Sequence, residues 1–324
     1  MSGRRILLTG GAGFVGSNLL DALVARGDQV TVVDNFNSYY DPATKWANLE
    51  AHRGNPDVAV IEADICDEGL WDSLDADAGW DALLHIAARA GVRPSLEQPL
   101  LYVRCNVGGT ASALRWACSG SAPIPFVFAS SSSVYGDDNV PPYSEQGALP
   151  APVSPYGSSK LAAEALVRGW ASCHGLPIAI LRFFTVYGPR QRPDLAIHKF
   201  SRLILEGQPI PVFGDGTSAR DYTHISDIVA GVLSTLERLL GGSLLHPIYN
   251  LGSDNSVTLD EMIATIEEVL GRSAQTQRLP MQPGDVRQTW ADLSRSRAEL
   301  GYSPRVEFAD GVADFVRWLR AAHN

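Results

Sequence analysis

The sequence predicts an α/β fold built on a doubly wound parallel sheet, with a smaller mixed α/β C-terminal substrate lobe. Three observations predict it. Through the first half, short β-rich runs alternate with helix-length amphipathic stretches. Those runs are continuously apolar rather than alternating, as strands covered on both faces are. The first of them ends in Gly10-Gly11-Ala12-Gly13-Phe14-Val15-Gly16 and passes straight into a helix, the opening of a Rossmann domain.

Taken in order, strands are expected at 5–9, 29–34, 58–63, 82–87, 126–130 and 178–183, with helices at 13–26, 100–118 and 155–174. In such a sheet the ligand lies beyond the carboxyl ends of the strands. After about Gly188 the pattern loosens, and Pro189, Pro193, Pro209 and Pro211 punctuate it. Helices follow at 259–270 and 308–322, and a run at 225–240 is helical enough to pack back on the sheet. The second lobe is therefore expected to interleave with the first domain rather than follow it.

With 324 residues, 45% hydrophobic and 19% charged, the chain has globular composition. A net charge of −10 argues against nucleic acid or an anionic membrane as partner. Cys66, Cys105, Cys118 and Cys173 show neither a CxxC pair nor metal-ligand spacing, and read as free buried thiols in a reducing compartment. No metal is expected. The apolar run after Met1-Ser2-Gly3-Arg4-Arg5 is too short for a signal peptide or a membrane span, so a cytoplasmic protein is expected.

Gly10, Gly13 and Gly16 permit a tight turn, close approach of the backbone to a pyrophosphate, and close helix–strand packing. Asp34 stands at the end of the second strand, 21 residues after Gly13. A carboxylate there accepts hydrogen bonds from ribose hydroxyls and repels a 2′-phosphate, which favours NAD over NADP. Asp64, ending the third strand, reads equally as a contact to the adenine edge or as a solvated loop acid.

Pro155-Tyr156-Gly157-Ser158-Ser159-Lys160 opens a helix, so Tyr156 and Lys160 share a face. A nearby ammonium and a positive nicotinamide ring favour the phenolate of a residue whose reference pKa is about 10. The run Ser130-Ser131-Ser132-Ser133 ends the fifth strand at the same sheet edge, and Ser131 is the candidate to bond the reacting oxygen. Together these residues describe oxidation of a hydroxyl group.

The chain resembles the extended short-chain dehydrogenase/reductase family that modifies nucleotide sugars. The motifs carrying the likeness are TGGAGFVG, HIAA ending at Ala88, Asn106, SSSSVYG, YGSSK, LRFFTVYGP from Leu181 and RDYTHISDI from Arg220. Within that family it is most similar to the UDP-glucuronate 4-epimerases, through DNFNSYYDP from Asp34, AGVRPSLEQP from Ala90 and TVYGPRQRPDLA from Thr185. The resemblance implies an NAD-binding Rossmann domain at 1–188, with returning segments near 222–252, and a lobe at 189–324 that mainly binds the nucleotide sugar. It adds Phe14, Val15, Asn35, Asn37, Ser38, Ile65, Ile86, Ala87, Ala88, Asn106, Ser130 and Phe183 to the cofactor contacts. The mechanism it implies starts with Tyr156 taking the C4 hydroxyl proton while the hydride moves to NAD. The 4-keto sugar then turns over, and the hydride returns to its other face.

For the UDP end, the resemblance implies Phe213 against uracil with Val212 and Lys199 beside it. Arg220 and Arg287 suit the diphosphate, and Gln282 and Asp285 the ribose. Core packing of Phe213, or an ion pair of Arg220 with Asp221 or Asp227, is the plainer alternative. Oxidised glucuronate is a β-keto acid and loses CO₂ when its carboxylate aligns with the carbonyl. Ser132, Ser133, Thr185 and Arg192, with Arg93 as a second cation, are the groups expected to hold that carboxylate. Arg89 departs from the family pattern, which has a neutral amide there. A UDP-glucuronate decarboxylase, a UDP-glucose 4-epimerase and a catalytically dead NAD-binding scaffold are the competing readings. A homodimer formed through helices 100–118 and 155–174 is also implied.

Overall fold

The computed structural model describes residues 3–147, 150–281, 284 and 286–322. Strand β1 (Arg5–Thr9) leads through the glycine turn into α1 (Phe14–Ala25), β2 (Gln29–Asp34) into α2 (Pro42–Leu49), and β3 (Val58–Glu62) into α3 (Glu68–Ser73). After β4 (Ala82–His85) come α4 (Val92–Glu97), α5 (Pro99–Tyr102), a π-helical segment at Val103–Gly109 and α6 (Thr110–Ala117). Next are β5 (Phe126–Ser131), α7 (Pro155–His174), β6 (Ile178–Phe183), β7 (Thr185–Tyr187), α8 (Ala196–Leu205) and β8 (Ile210–Phe213). The chain continues through β9 (Ala219–Arg220), β10 (Tyr222–His224), α9 (Ile225–Leu240), β11 (Ile248–Leu251) and β12 (Val257–Thr258). It finishes with α10 (Leu259–Leu270), β13 (Thr276–Leu279) and α11 (Phe308–Ala322).

Seven of these strands form one sheet in the order β11-β6-β5-β4-β1-β2-β3, every pair parallel. The order reverses between β1 and β4, the switch point at which a doubly wound sheet opens a crevice. One face carries α1 and α9, which bury Leu19, Leu20, Leu23, Ile228, Val232 and Leu236 together. The other carries α3, α6 and α7, with Leu70, Trp71, Leu114, Trp116, Ala163 and Val167. A third core, including Tyr187, Ile204, Met262 and Phe315, holds α8, α10 and α11 together.

Three differences from the sequence expectations matter for the site. Strand β4 stops at His85, not residue 87, which leaves 86–91 as loop above the crevice. The expected helix at 100–118 is continuous, but its middle, Val103–Gly109, is π-helical between α5 and α6; there Thr110 Oγ1 donates to Asn106 O and the Asn106 amide reaches the 86–91 loop. The thiols expected to be buried are not. Cys66, Cys105 and Cys118 are half-buried and Cys173 is exposed, though all four are free.

Candidate active site

A trough of about 600 Å³ runs along the carboxyl ends of the strands. Its floor is the glycine turn. Gly10 has φ +72°, and a Cβ there would meet Ala87 N at 2.7 Å; a Cβ on Gly16 would lie 2.1 Å from Gly10 O. Those positions require glycine. At Gly13 the nearest atom to such a Cβ is Gly10 O at 3.3 Å, so its face is kept bare toward the trough. Phe14 and Val15 complete this wall.

Asp34 closes one end. Its carboxylate accepts from Ala12 N at 3.3 Å and Phe36 N at 2.9 Å, and Lys45 Nζ lies 3.4 Å away. An ionised carboxylate has about four acceptor positions, so it retains room for a ribose hydroxyl. Asn35 donates to Asp64 at 3.0 Å, and Asp64 also accepts from Cys66 N at 2.9 Å. Burial works to raise the Asp64 carboxyl, but these bonds outweigh it and the net direction is down. Asn37, Ile65, Ile86, Ala87, Ala88 and Phe183 also line the trough. Ser38 faces a smaller adjoining cavity with Arg89 and Tyr102. Asn106 is buried and is not on the trough wall; its amide clamps the Arg89 backbone at both N–H (2.7 Å) and C=O (2.9 Å) and meets Ser159. It thereby fixes the 86–91 loop at the edge of the trough.

The N-terminus of α7 brings in Tyr156 and Lys160. Ser154 caps it by accepting from Gly157 N, Pro155 is its first residue, and Ser95 Oγ accepts from Tyr156 N at 3.1 Å. Lys160 is buried and donates to Ala129 O at 2.8 Å, with its ammonium 4.9 Å from the Phe128 ring centre. Burial lowers it to about 8, against the pull of Cys105 and Glu164. Burial raises the Tyr156 phenol, while the Ser131 hydroxyl and the charge of Arg192 draw it down. Tyr156 and Lys160 both line the trough, as the helical spacing led us to expect, and Arg192 adds a second cation whose charge reaches the phenol. Ser131 accepts from Ser133 N at 3.2 Å, and all four residues from Ser130 to Ser133 line the trough.

Beneath the serines lies a buried ion pair. Arg182 on β6 donates Nε and Nη2 to the two Glu164 oxygens at 2.9 and 2.7 Å, and Ser130 Oγ donates to Glu164 at 2.5 Å. Sequence reasoning missed this pair, although an acid four residues after Lys160 and an arginine inside an apolar strand were both visible. It also missed Lys45, for which the spacing carries no signal.

Thr185, Arg192 and Arg220, expected at the substrate, are all on the trough wall. Arg220 donates to Ala219 O at 2.9 Å and Arg287 O at 3.3 Å. The expected alternative partners are occupied elsewhere: Asp221 accepts from Ser253 and Ala291, Asp227 from the backbone of Arg305 and Val306. The Arg93 guanidinium lies 4.2 Å over the Phe213 ring, and neither residue lines the trough. Lys199, buried Val212 and Arg287 are likewise off its wall. Gln282 and Asp285 lie outside the described residues.

The model of the NAD dependent epimerase/dehydratase family matches residues 6–252. UDP-glucuronate 4-epimerase 3 of Arabidopsis thaliana is 39% identical over 99% of this chain and 78% of its own length. A UDP-glucuronate 4-epimerase of Thermodesulfobacterium geofontis is 36% identical, covering 97% and 95%. The crystal structure of UDP-glucuronic acid 4-epimerase from Bacillus cereus, in complex with UDP-glucuronic acid and NAD, superposes with a TM-score of 0.88 at 34% identity, covering 98% of this chain and 99% of that one. The chain belongs to the NAD dependent epimerase/dehydratase family.

Proposed function

We propose that this protein inverts C4 of UDP-glucuronate to give UDP-galacturonate, using bound NAD. The observation that carries the reading is Arg192, a guanidinium in the wall of the same trough as Tyr156 and close enough to bias its phenol. Beside the phenol that acts at C4, a uronate carboxylate gives this cation a charge-assisted partner that a neutral sugar ring lacks. Relatives named for this reaction support it.

Gly10, Gly13 and Gly16 fit a pyrophosphate against bare backbone, and Asp34 fits the adenosine ribose. NAD, when bound, accepts the C4 hydride and gives it back. Tyr156 takes the C4 hydroxyl proton and later returns it, with Ser131 bonding the same oxygen. Lys160, fixed by Ala129 O, orients the cofactor beside the phenol. Between the two transfers the 4-keto sugar turns over, anchored at its UDP end by Arg220. Arg192, Ser132, Ser133 and Thr185 meanwhile hold the carboxylate out of line with the carbonyl, which suppresses loss of CO₂.

Residues 1–188 and the returning segments near 222–252 form the cofactor domain in this reading, and 189–324 mainly the nucleotide-sugar lobe. The protein acts as a homodimer, because Leu96, Leu100 and Val103 leave an apolar strip exposed beside α7, and Leu100 is 83% accessible. Four free thiols fit the cytoplasm. Among the described residues no helix is long and apolar enough to cross a membrane.

NMR of the product from UDP-glucuronate tests the reading. UDP-galacturonate is the expected product. A dominant UDP-xylose signal would replace epimerase with decarboxylase. Turnover of UDP-glucose that ignores Arg192→Ala would point to a neutral-sugar enzyme.

A further inference from the structure

Asp194 lies between β7 and α8, two residues after the guanidinium assigned to the substrate carboxylate. Its carboxylate takes Arg192 at two points, Nε to Oδ1 at 2.9 Å and Nη2 to Oδ2 at 2.8 Å. The Tyr39 hydroxyl, from the loop after β2, donates to Asp194 Oδ2 at 3.5 Å. The centre of the Tyr39 ring also sits 5.3 Å from the Arg192 guanidinium carbon and 5.3 Å from that of Arg89. Arg192 thus meets a carboxylate along one edge and lies over the Tyr39 ring. A guanidinium has five N–H donors in a rigid fork. Asp194 uses two of them, which leaves the Nη1 edge and the second Nη2 proton for another carboxylate.

We propose that Asp194 and Tyr39 are positioning residues that fix the free edge of Arg192, so that the sugar carboxylate is held away from alignment with the C4 carbonyl. The proposal rests on the uronate reading above. Its chemical consequence is a product ratio. If the carboxylate swings into line at the 4-keto stage, the C5–C6 bond breaks and its electron pair moves into the C4 carbonyl. CO₂ leaves, and a solvent proton adds to C5 of the resulting enolate. The 4-keto pentose then takes back the stored hydride, giving a UDP-pentose. An arginine that has lost its lock binds the uronate more weakly and permits this branch.

The test compares Asp194→Ala, Asp194→Asn, Tyr39→Phe and Arg192→Ala in the NAD-loaded protein, reading KM, kcat and the fraction of UDP-pentose by NMR. Asp194→Ala should raise the KM for UDP-glucuronate about tenfold, the scale of one lost charge-assisted contact. Its kcat should fall far less, and UDP-pentose should appear. Asp194→Asn, which keeps an acceptor, should fall between it and the unmodified protein. Tyr39→Phe keeps the ring and should change KM least. Inhibition by UDP alone should be the same in all four, because the uridine end is untouched. If Asp194→Ala misfolds, judged by melting temperature and NAD content, Asp194→Asn carries the comparison. Unchanged KM and unchanged product in the folded Asp194 variants, with Arg192→Ala impaired, overturns the positioning role alone. An unimpaired Arg192→Ala overturns the uronate reading beneath it.

Discussion

Replacing Glu164 with glutamine removes one charge from the Glu164–Arg182 pair while preserving shape. Glu164 and Arg182 are 2% and 3% exposed, so water cannot replace the lost partner. The guanidinium then keeps the face of the Tyr135 ring, 4.7 Å from its carbon. An uncompensated buried charge of this kind costs about 3–5 kcal/mol. The assay is urea unfolding at pH 7 with matched NAD content, comparing Glu164→Gln with the double variant Glu164→Leu/Arg182→Met. The double variant removes both charges and should recover most of the loss. Because Ser130 Oγ donates to Glu164, the single variant should also loosen the serine wall and lower kcat. A loss below about 1 kcal/mol for Glu164→Gln would refute the reasoning, since it would mean the pair is neither desolvated nor coupled.

Burial brings the Lys160 ammonium down from its ordinary 10.5 to about 8 in the fold. The unfolded chain therefore binds more protons between those values, and stability should rise with pH across that window. Below pH 8 the buried ammonium is worth about 3 kcal/mol of lost stability, at about 1.36 kcal/mol per unit. Lys160→Met should accordingly be more stable than the parent at pH 7 by up to about that amount and catalytically dead, with no gain above pH 10.5; greater instability at pH 7 would contradict this. Gly16→Ala drives a methyl to within 2.1 Å of Gly10 O, so calorimetry should show NAD affinity at least about tenfold weaker, whereas Gly13→Ala distorts the empty turn less. Tyr156→Phe should lower kcat by about 10²–10⁴-fold, the usual range for a general acid–base, while UDP-sugar affinity measured by calorimetry stays the same.

The sheet was legible because its signals are local. Continuous apolar runs marked β1, β2 and β6 at their observed limits, and 155–174, 225–240, 259–270 and 308–322 are helices as periodicity predicts. The π-helical middle of 100–118 was not legible, because apolar spacing reports a helical face and not whether its bonds skip four residues or five. The seventh strand, Ile248–Leu251, is only four residues long and gained no separate signal. In the site, residues tied to backbone geometry were readable: the glycine turn, Asp34 and the serines at the end of β5. Partnerships across loops were not. Nothing in the spacing joins Lys45 to Asp34, Tyr39 to Asp194 or Lys160 to Ala129 O.

The most direct test of the account follows a label through one turnover. UDP-glucuronate carrying deuterium at C4 is incubated with the NAD-loaded protein, and the product is read by proton and deuterium NMR. The account predicts UDP-galacturonate with the deuterium still on C4, moved from one ring face to the other. Deuterium washed out to solvent, or a UDP-pentose as the main product, would contradict it.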